Sequence, residues 1–263
     1  MSGRRQPRRR ADLSQHFLRS QGLARTLVRQ SELSLTDLVI EIGAGTGVLT
    51  AALAARAREV RAIEGDTHLA SGLRRRFDDS SVVEILEADF FAAELPREQY
   101  SVFANVPFNR TADVVRRLTE GQRPPEDAYL VVQAEAAARF AGLPYGPESV
   151  ASLVLKPWWH LEIEYWFRRS DFSPPPSVDS VLLHLARRDR PLVDGVLRSE
   201  YARFIERSFG RGGVGRGLRE SYSPRELRLL AQRLRFDRRA PPSALSFEQW
   251  LVLFRQGLTR RVR

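Results

Sequence analysis

The sequence has no cysteine. Disulfides, zinc–thiolate centres and iron–sulfur clusters are excluded. Attack on carbon 5 of a pyrimidine, which commonly needs a thiolate, is disfavoured, as is radical chemistry started at a cysteine-bound cluster. His68, His160 and His184 are scattered without ligand spacing and read as structural, so no metal is expected. No stretch approaches the roughly 20 apolar residues of a membrane span. Nor is there an apolar signal core near residue 1, so the cytoplasm is the expected compartment and no membrane partner is expected.

Lysine is nearly absent as well: Lys156 is the only one among 42 basic residues. An arginine-biased composition accounts for the total charge of +10 but not for its placement. Residues 188–263 hold 18 arginines against 8 acids, and residues 1–10 hold five arginines and no acid. The span 11–187 is slightly acidic, with 19 basic and 24 acidic residues. A near-neutral body flanked by basic ends is the electrostatic footprint of a nucleic-acid binder.

Residues 1–12 carry no apolar periodicity and read as a disordered basic arm. A helix is expected over Leu23–Leu33. Strands are expected at Leu38–Gly43, Glu59–Glu64, Val82–Ala88, Tyr100–Asn105 and Ala128–Gln133. They alternate with helices at Val48–Arg58, Leu69–Phe77, Ala112–Glu120 and Ala134–Phe140. Such alternation implies a parallel sheet covered on both faces. Leu161–Phe167 and Ser180–Leu185 follow with no helix between them and can close the sheet as an antiparallel pair. Beyond Arg188, helices are expected at Val193–Phe209, Pro224–Leu234 and Ser246–Leu258, with Gly210–Gly217 as a flexible basic link. The domains expected are an arm (1–12), a catalytic α/β domain (13–187) and a small all-helical, Arg-rich RNA-binding domain (188–263).

The sharpest local signal is Glu41-Ile42-Gly43-Ala44-Gly45-Thr46-Gly47, between the first apolar strand and its helix. Glycines such as Gly43 and Gly45 let the chain turn sharply and let a ligand touch backbone. A glycine turn at the carboxyl edge of such a sheet is where α/β proteins bind nucleotides. The spacing is neither G-x-G-x-x-G nor a P-loop. Glu64 ends the next strand, where an acid can accept both hydroxyls of a ribose. Asp89 ends the third, where it can accept from the amine of a cofactor's adenine with Phe90 against the ring. Taken singly, each acid also reads as a solvated strand end.

The fourth strand ends in Asn105-Val106-Pro107-Phe108, the expected catalytic element. An aromatic amine is a poor nucleophile because its lone pair is delocalised. Asn105 Oδ1 and a backbone carbonyl can accept its two N–H bonds and favour a pyramidal nitrogen. Pro107 stiffens the turn, and Phe108 can stack on a base swung out of its helix. Methyl transfer from an activated sulfonium then depends on in-line positioning rather than on a strong base. Phe204, Phe209 and Tyr222, among the arginines of the tail, suit either a small core or base stacking.

Ser14-Gln15-His16-Phe17-Leu18, the GAGTG loop, Asn105–Phe108 and Asp171-Phe172-Ser173-Pro174-Pro175-Pro176-Ser177-Val178-Asp179-Ser180-Val181 occur in that order. Together they resemble the rRNA adenine N6-dimethyltransferase family over residues 14–185, and Leu245–Leu251 extends the likeness. Thr111, the Val114-Val115-Arg116-Arg117 helix and Lys156-Pro157-Trp158 are most similar to the Erm-type branch. That branch modifies one adenine of 23S rRNA and confers macrolide–lincosamide–streptogramin B resistance. The resemblance implies a Rossmann-like class I methyltransferase fold, a mostly parallel sheet with an antiparallel last strand, and a small helical C-terminal domain. It implies S-adenosyl-L-methionine as cofactor, 23S rRNA as partner and a monomer. His16 and Leu18 would line the cofactor pocket, with Gly43 beside the methionine part, Glu64 on the ribose and Asp89 on the adenine. Asn105 would hold the reacting amine, and Phe108 with Phe172 would sandwich the target base. His16 stands where many relatives carry asparagine. Two other readings compete: the housekeeping small-subunit rRNA dimethyltransferase, and a non-catalytic RNA-binding assembly factor on the same fold.

Overall fold

The computed structural model describes residues 16–210 and 212–261. The expected arm at 1–12, Ser14 and Gln15 lie outside the described residues. The chain divides into two compact units: Met1–Gln133 with Tyr165–Leu182, and Ala134–Glu164 with Leu183–Arg263.

The first unit opens on β1 (Phe17–Leu18) and α1 (Gln21–Gln30), whose N-cap Ser20 accepts from the Leu23 amide. Then come β2 (Leu38–Ile42), α2 (Val48–Ala54), β3 (Glu59–Glu64), α3 (Thr67–Arg76) and β4 (Val83–Glu87). They are followed by β5 (Ser101–Asn105), α4 (Thr111–Glu120) and β6 (Asp127–Gln133). Every residue of β2 is buried, as expected of a central parallel strand covered on both faces. Asp66 caps α3 by accepting from the His68 and Leu69 amides, so that helix starts ahead of its apolar pattern.

The second unit brings α5 (Ala134–Ala141), α6 (Val150–Leu155) and most of β7 (Trp159–Trp166). In chain order β8 (Phe172–Ser173) and β9 (Ser180–Arg187) come next. Helices α7 (Arg198–Ser208), α8 (Val214–Gly217), α9 (Pro224–Leu234) and α10 (Phe247–Arg261) follow. Within the first unit the sheet runs in the order β4-β3-β2-β5-β6. Its pairs β3/β4, β2/β3, β2/β5 and β5/β6 are parallel. β1 and β8 form a separate antiparallel pair, with Phe17 opposite Ser173 and Leu18 opposite Phe172. The α/β class and the mostly parallel sheet are as expected.

Two expectations need correction. Gly210–Gly217 is not a flexible link over its described residues, because Val214 is fully buried within α8 and Leu218 directly after it is as well. A Cβ on Gly217 would sit 2.2 Å from the Ser208 carbonyl, so the glycines allow close packing here rather than freedom. The helix expected over Val193–Phe209 begins at Arg198, after a short 3-10 turn capped by Asp194. In this unit Tyr222, Trp250 and Phe254 are core, and the rings of Phe204 and Phe254 lie 5.5 Å apart.

Candidate active site

The sheet order sets the carboxyl ends of β3, β2 and β5 side by side, and the residues that carry chemistry sit at those ends. The turn after β2 needs glycine: Gly43, Gly45 and Gly47 have φ of 72°, 56° and 78°. L side chains rarely adopt that region. Gly43 is exposed, and among the described residues a Cβ there would meet nothing nearer than the Asn105 carbonyl at 4.0 Å. Gly45 differs, because a Cβ would fall 2.7 Å from the Phe17 ring. Phe17 from β1 thus lies directly on the glycine turn.

Glu64, at the end of β3, is buried, and both its oxygens accept from backbone. Gly45 donates to Oε2 at 2.8 Å and Asp66 donates to Oε1 at 2.9 Å. One carboxylate therefore joins the glycine turn to the start of α3, and its remaining lone pairs can still take hydroxyl donors. Glu41 in β2 is buried beneath the same turn. Burial pushes its carboxyl up to about 8, with Thr50 and Arg76 opposing and Glu64 assisting.

At the end of β5, Asn105 Nδ2 donates to the His16 carbonyl at 2.6 Å. A carbonyl only accepts, so the amide NH₂ is the group engaged there, and Oδ1 is left as an acceptor. His16 Nδ1 lies 2.7 Å from the Pro174 carbonyl, and its ring is 5.4 Å from that of Phe108, tilted by 33°. Pro107 caps the 3-10 turn Phe108–Arg110, which passes directly into α4.

His16, Phe17, Gly43, Glu64, Asn105, Val106, Pro107 and Phe108 line one small cavity of about 40 Å³. Of the predicted site residues, His16, Gly43, Glu64, Asn105, Pro107 and Phe108 are thus brought together. Gly45 reaches the group through Glu64. Asp89 and Phe90 are not part of that lining. They sit in the turn after β4, where the Asp89 carboxylate accepts from the Phe91 amide and Phe90 is buried. Leu18 is buried in the core. Phe172, expected against a base, is fully buried 5.2 Å from Phe167, so no part of its ring is open for stacking. The β1/β8 pairing causes this by drawing residue 172 into the core beside Leu18.

Phe17 and Glu41 were not anticipated. Phe17 stood inside a quoted motif, but its contact with Gly45 spans 28 positions and leaves no periodic trace. Glu41 stood in the glycine motif as an acid in an otherwise apolar strand, a signal that could have marked it. For a methylating cofactor the donor set fits. The turn is open at Gly43, a carboxylate stands at the end of β3, and another stands after β4 beside the buried Phe90.

A family model described as ribosomal RNA adenine dimethylase matches residues 7–256. An rRNA adenine N-6-methyltransferase of Streptomyces fradiae is 36% identical over 254 residues, covering 94% of this chain and 78% of that protein. The mycinamicin-resistance protein MyrB of Micromonospora griseorubida is 31% identical over 250 residues, covering 94% and 78%. Among solved structures, the 23S rRNA methyltransferase ErmE matches with a TM-score of 0.85 at 31% identity, covering 91% of this chain and 98% of that one.

Proposed function

The chain belongs to the ribosomal RNA adenine dimethylase family, and from that premise we propose that it methylates the exocyclic N6 of one adenine in 23S rRNA. The modification would confer macrolide–lincosamide–streptogramin B resistance. S-adenosyl-L-methionine, when bound, supplies a methyl group on an activated sulfonium. The similarity to MyrB and to the 23S rRNA methyltransferase ErmE supports this branch over the small-subunit one. We take its compartment to be the cytoplasm, and 23S rRNA, free or assembling, to be its partner. No helix among the described residues is long and apolar enough to cross a membrane.

The observation that carries the reading is the amide of Asn105. Its NH₂ is committed to the His16 carbonyl, which leaves Oδ1 to accept an N–H of the target amine. That bond draws the nitrogen toward a pyramidal shape and localises its lone pair. Pro107 fixes the turn that holds the acceptor, and Phe108 offers a ring to the extruded base. Glu64 would hold the ribose, and Asp89 with Phe90 the adenine of the cofactor. Gly43 would leave room for its methionine part. Rate enhancement then rests on alignment rather than on a strong general base.

Primer extension on 23S rRNA from cells expressing the protein tests the reading directly. A new stop at a single adenine is expected. Label from radioactive cofactor appearing only in small subunits would overturn the 23S assignment.

A further inference from the structure

Arg117 is the residue whose surroundings the reaction above leaves unexplained. It lies on α4, the helix that continues from the catalytic turn, yet its guanidinium is engaged elsewhere. Nη1 donates to the Phe91 carbonyl and Nη2 to the Ala93 carbonyl, both in the turn after β4. The guanidinium carbon stands 4.8 Å from the centre of the Phe90 ring. Nε is buried and has no hydrogen-bond partner among the described residues. Three successive features of one turn, a ring and two carbonyls, are thus gripped by one planar cation.

The turn itself is closed by Asp89. Its carboxylate accepts from the Phe91 amide, and its carbonyl accepts from the Ala92 and Ala93 amides. Those bonds fix the donors of the turn; Arg117 fixes the outward carbonyls. The strands concerned are not neighbours, since β3 and β2 lie between β4 and β5 in the sheet. The ladders therefore relate the Asp89 turn to the Asn105 turn only through β3 and β2, with no direct pairing of β4 and β5. Arg117 links the Asp89 turn to α4 directly.

We propose that Arg117 is a positioning residue that sets the Asp89–Phe90 turn for recognition of the cofactor's adenine and ties that turn to the catalytic helix. The proposal rests on the function proposed above. A lysine could supply the charge but not the planar fork that meets two carbonyls while stacking on a ring. The role differs from a general contribution to stability in what it controls. It should govern discrimination at the adenine rather than the chemical step.

Calorimetry with S-adenosylhomocysteine and with S-inosylhomocysteine, which lacks the exocyclic amine, tests this on the intact protein. Arg117→Ala should weaken S-adenosylhomocysteine by about tenfold or more, the scale of a lost charged hydrogen bond. It should weaken S-inosylhomocysteine much less, so that the preference for the adenine form collapses. The Michaelis constant for the cofactor should rise while turnover at saturating cofactor and affinity for RNA stay close to wild type. Arg117→Lys should fall between the two and serves as the readout should the alanine variant not fold. Unchanged preference would overturn the proposal, whether both ligands keep their wild-type affinity or both weaken equally. A wild-type protein that bound neither ligand would instead overturn the methyltransferase reading itself, and this inference with it.

Discussion

The end of β3 and the end of β5 hold their polar groups in opposite ways. Glu64 is buried with both oxygens already taken by backbone amides of Gly45 and Asp66. Asn105 is half-buried and spends only its donor, on a carbonyl of the segment leading into β1. One side is wired by its immediate neighbours and has its shape before any ligand arrives. The other keeps an acceptor in reserve and borrows its orientation from a segment 89 residues away. Preorganisation would suit the ribose contact proposed for Glu64. A reserved acceptor would suit the amine proposed to reach Asn105.

The largest expected effect breaks the second side alone. Asn105→Ala removes the acceptor, and methyl transfer should fall at least ~100-fold, the scale seen when one preorganised hydrogen-bonding group is deleted from an active site. Cofactor affinity measured by calorimetry should stay within a few-fold. A variant with wild-type turnover would remove Asn105 from the chemistry.

Glu41 tests the first side from beneath. Its carboxyl is pushed up to about 8 from an ordinary 4.5, mainly by burial. In the folded protein it keeps its proton across that window, while the unfolded chain releases one. Stability therefore declines as pH rises from 4.5 to 8, by up to roughly 1.4 kcal/mol per unit from this group. Below 4.5 the two states are alike and the group costs nothing. Glu41→Gln should be more stable than wild type at pH 8, with a gain that shrinks toward pH 4.5. Denaturant melts at several pH values measure it, and parallel wild-type and variant curves would show that Glu41 does not titrate as described.

Glu64→Gln sharpens the comparison more finely. A glutamine has one oxygen for two amide donors, so either Gly45 or Asp66 must face an NH₂. The loss should be about 1–3 kcal/mol of stability, with weaker cofactor binding and no change in the orientation of Asn105. If the variant bound cofactor normally, the wiring of the first side would be structural only.

How much of this was legible in sequence follows the same divide. β3 was placed residue for residue because an apolar strand between a charged start and an acidic end is a local pattern. α9 was placed equally well because Ser223, Pro224 and Glu226 form a capping box with proline at the first turn. Elements without local period were not seen. α6 has six residues, too few for a helical repeat to show, and β1 and β8 have two each. Glycine composition made residues 210–217 look like a linker, when close packing was the reason for the glycines. The site divides likewise. Gly43, Glu64 and Asn105 mark strand ends and could be read from position alone. The burial of Phe172, the seat of Phe17 and the reach of Arg117 depend on contacts between segments well separated along the chain, which no short window of sequence contains.

Gly45 carries the smallest expected effect and bears on both sides at once. Its φ of 56° makes any side chain costly, by about 1 kcal/mol. A methyl there would also fall 2.7 Å from the Phe17 ring. That ring sits one residue beyond the His16 carbonyl that orients Asn105. Gly45→Ala should therefore do two separable things: strain the turn, and push β1 outward. Repeating the substitution in Phe17→Ala separates them, because the smaller residue removes the clash and leaves only the backbone strain. The stability loss from Gly45→Ala should then shrink to about 1 kcal/mol, and its effect on turnover should largely vanish. Equal losses in both backgrounds would mean that the ring yields freely. In that event the glycine turn and the Asn105 turn are independent after all, and the borrowed orientation of Asn105 does not pass through Phe17.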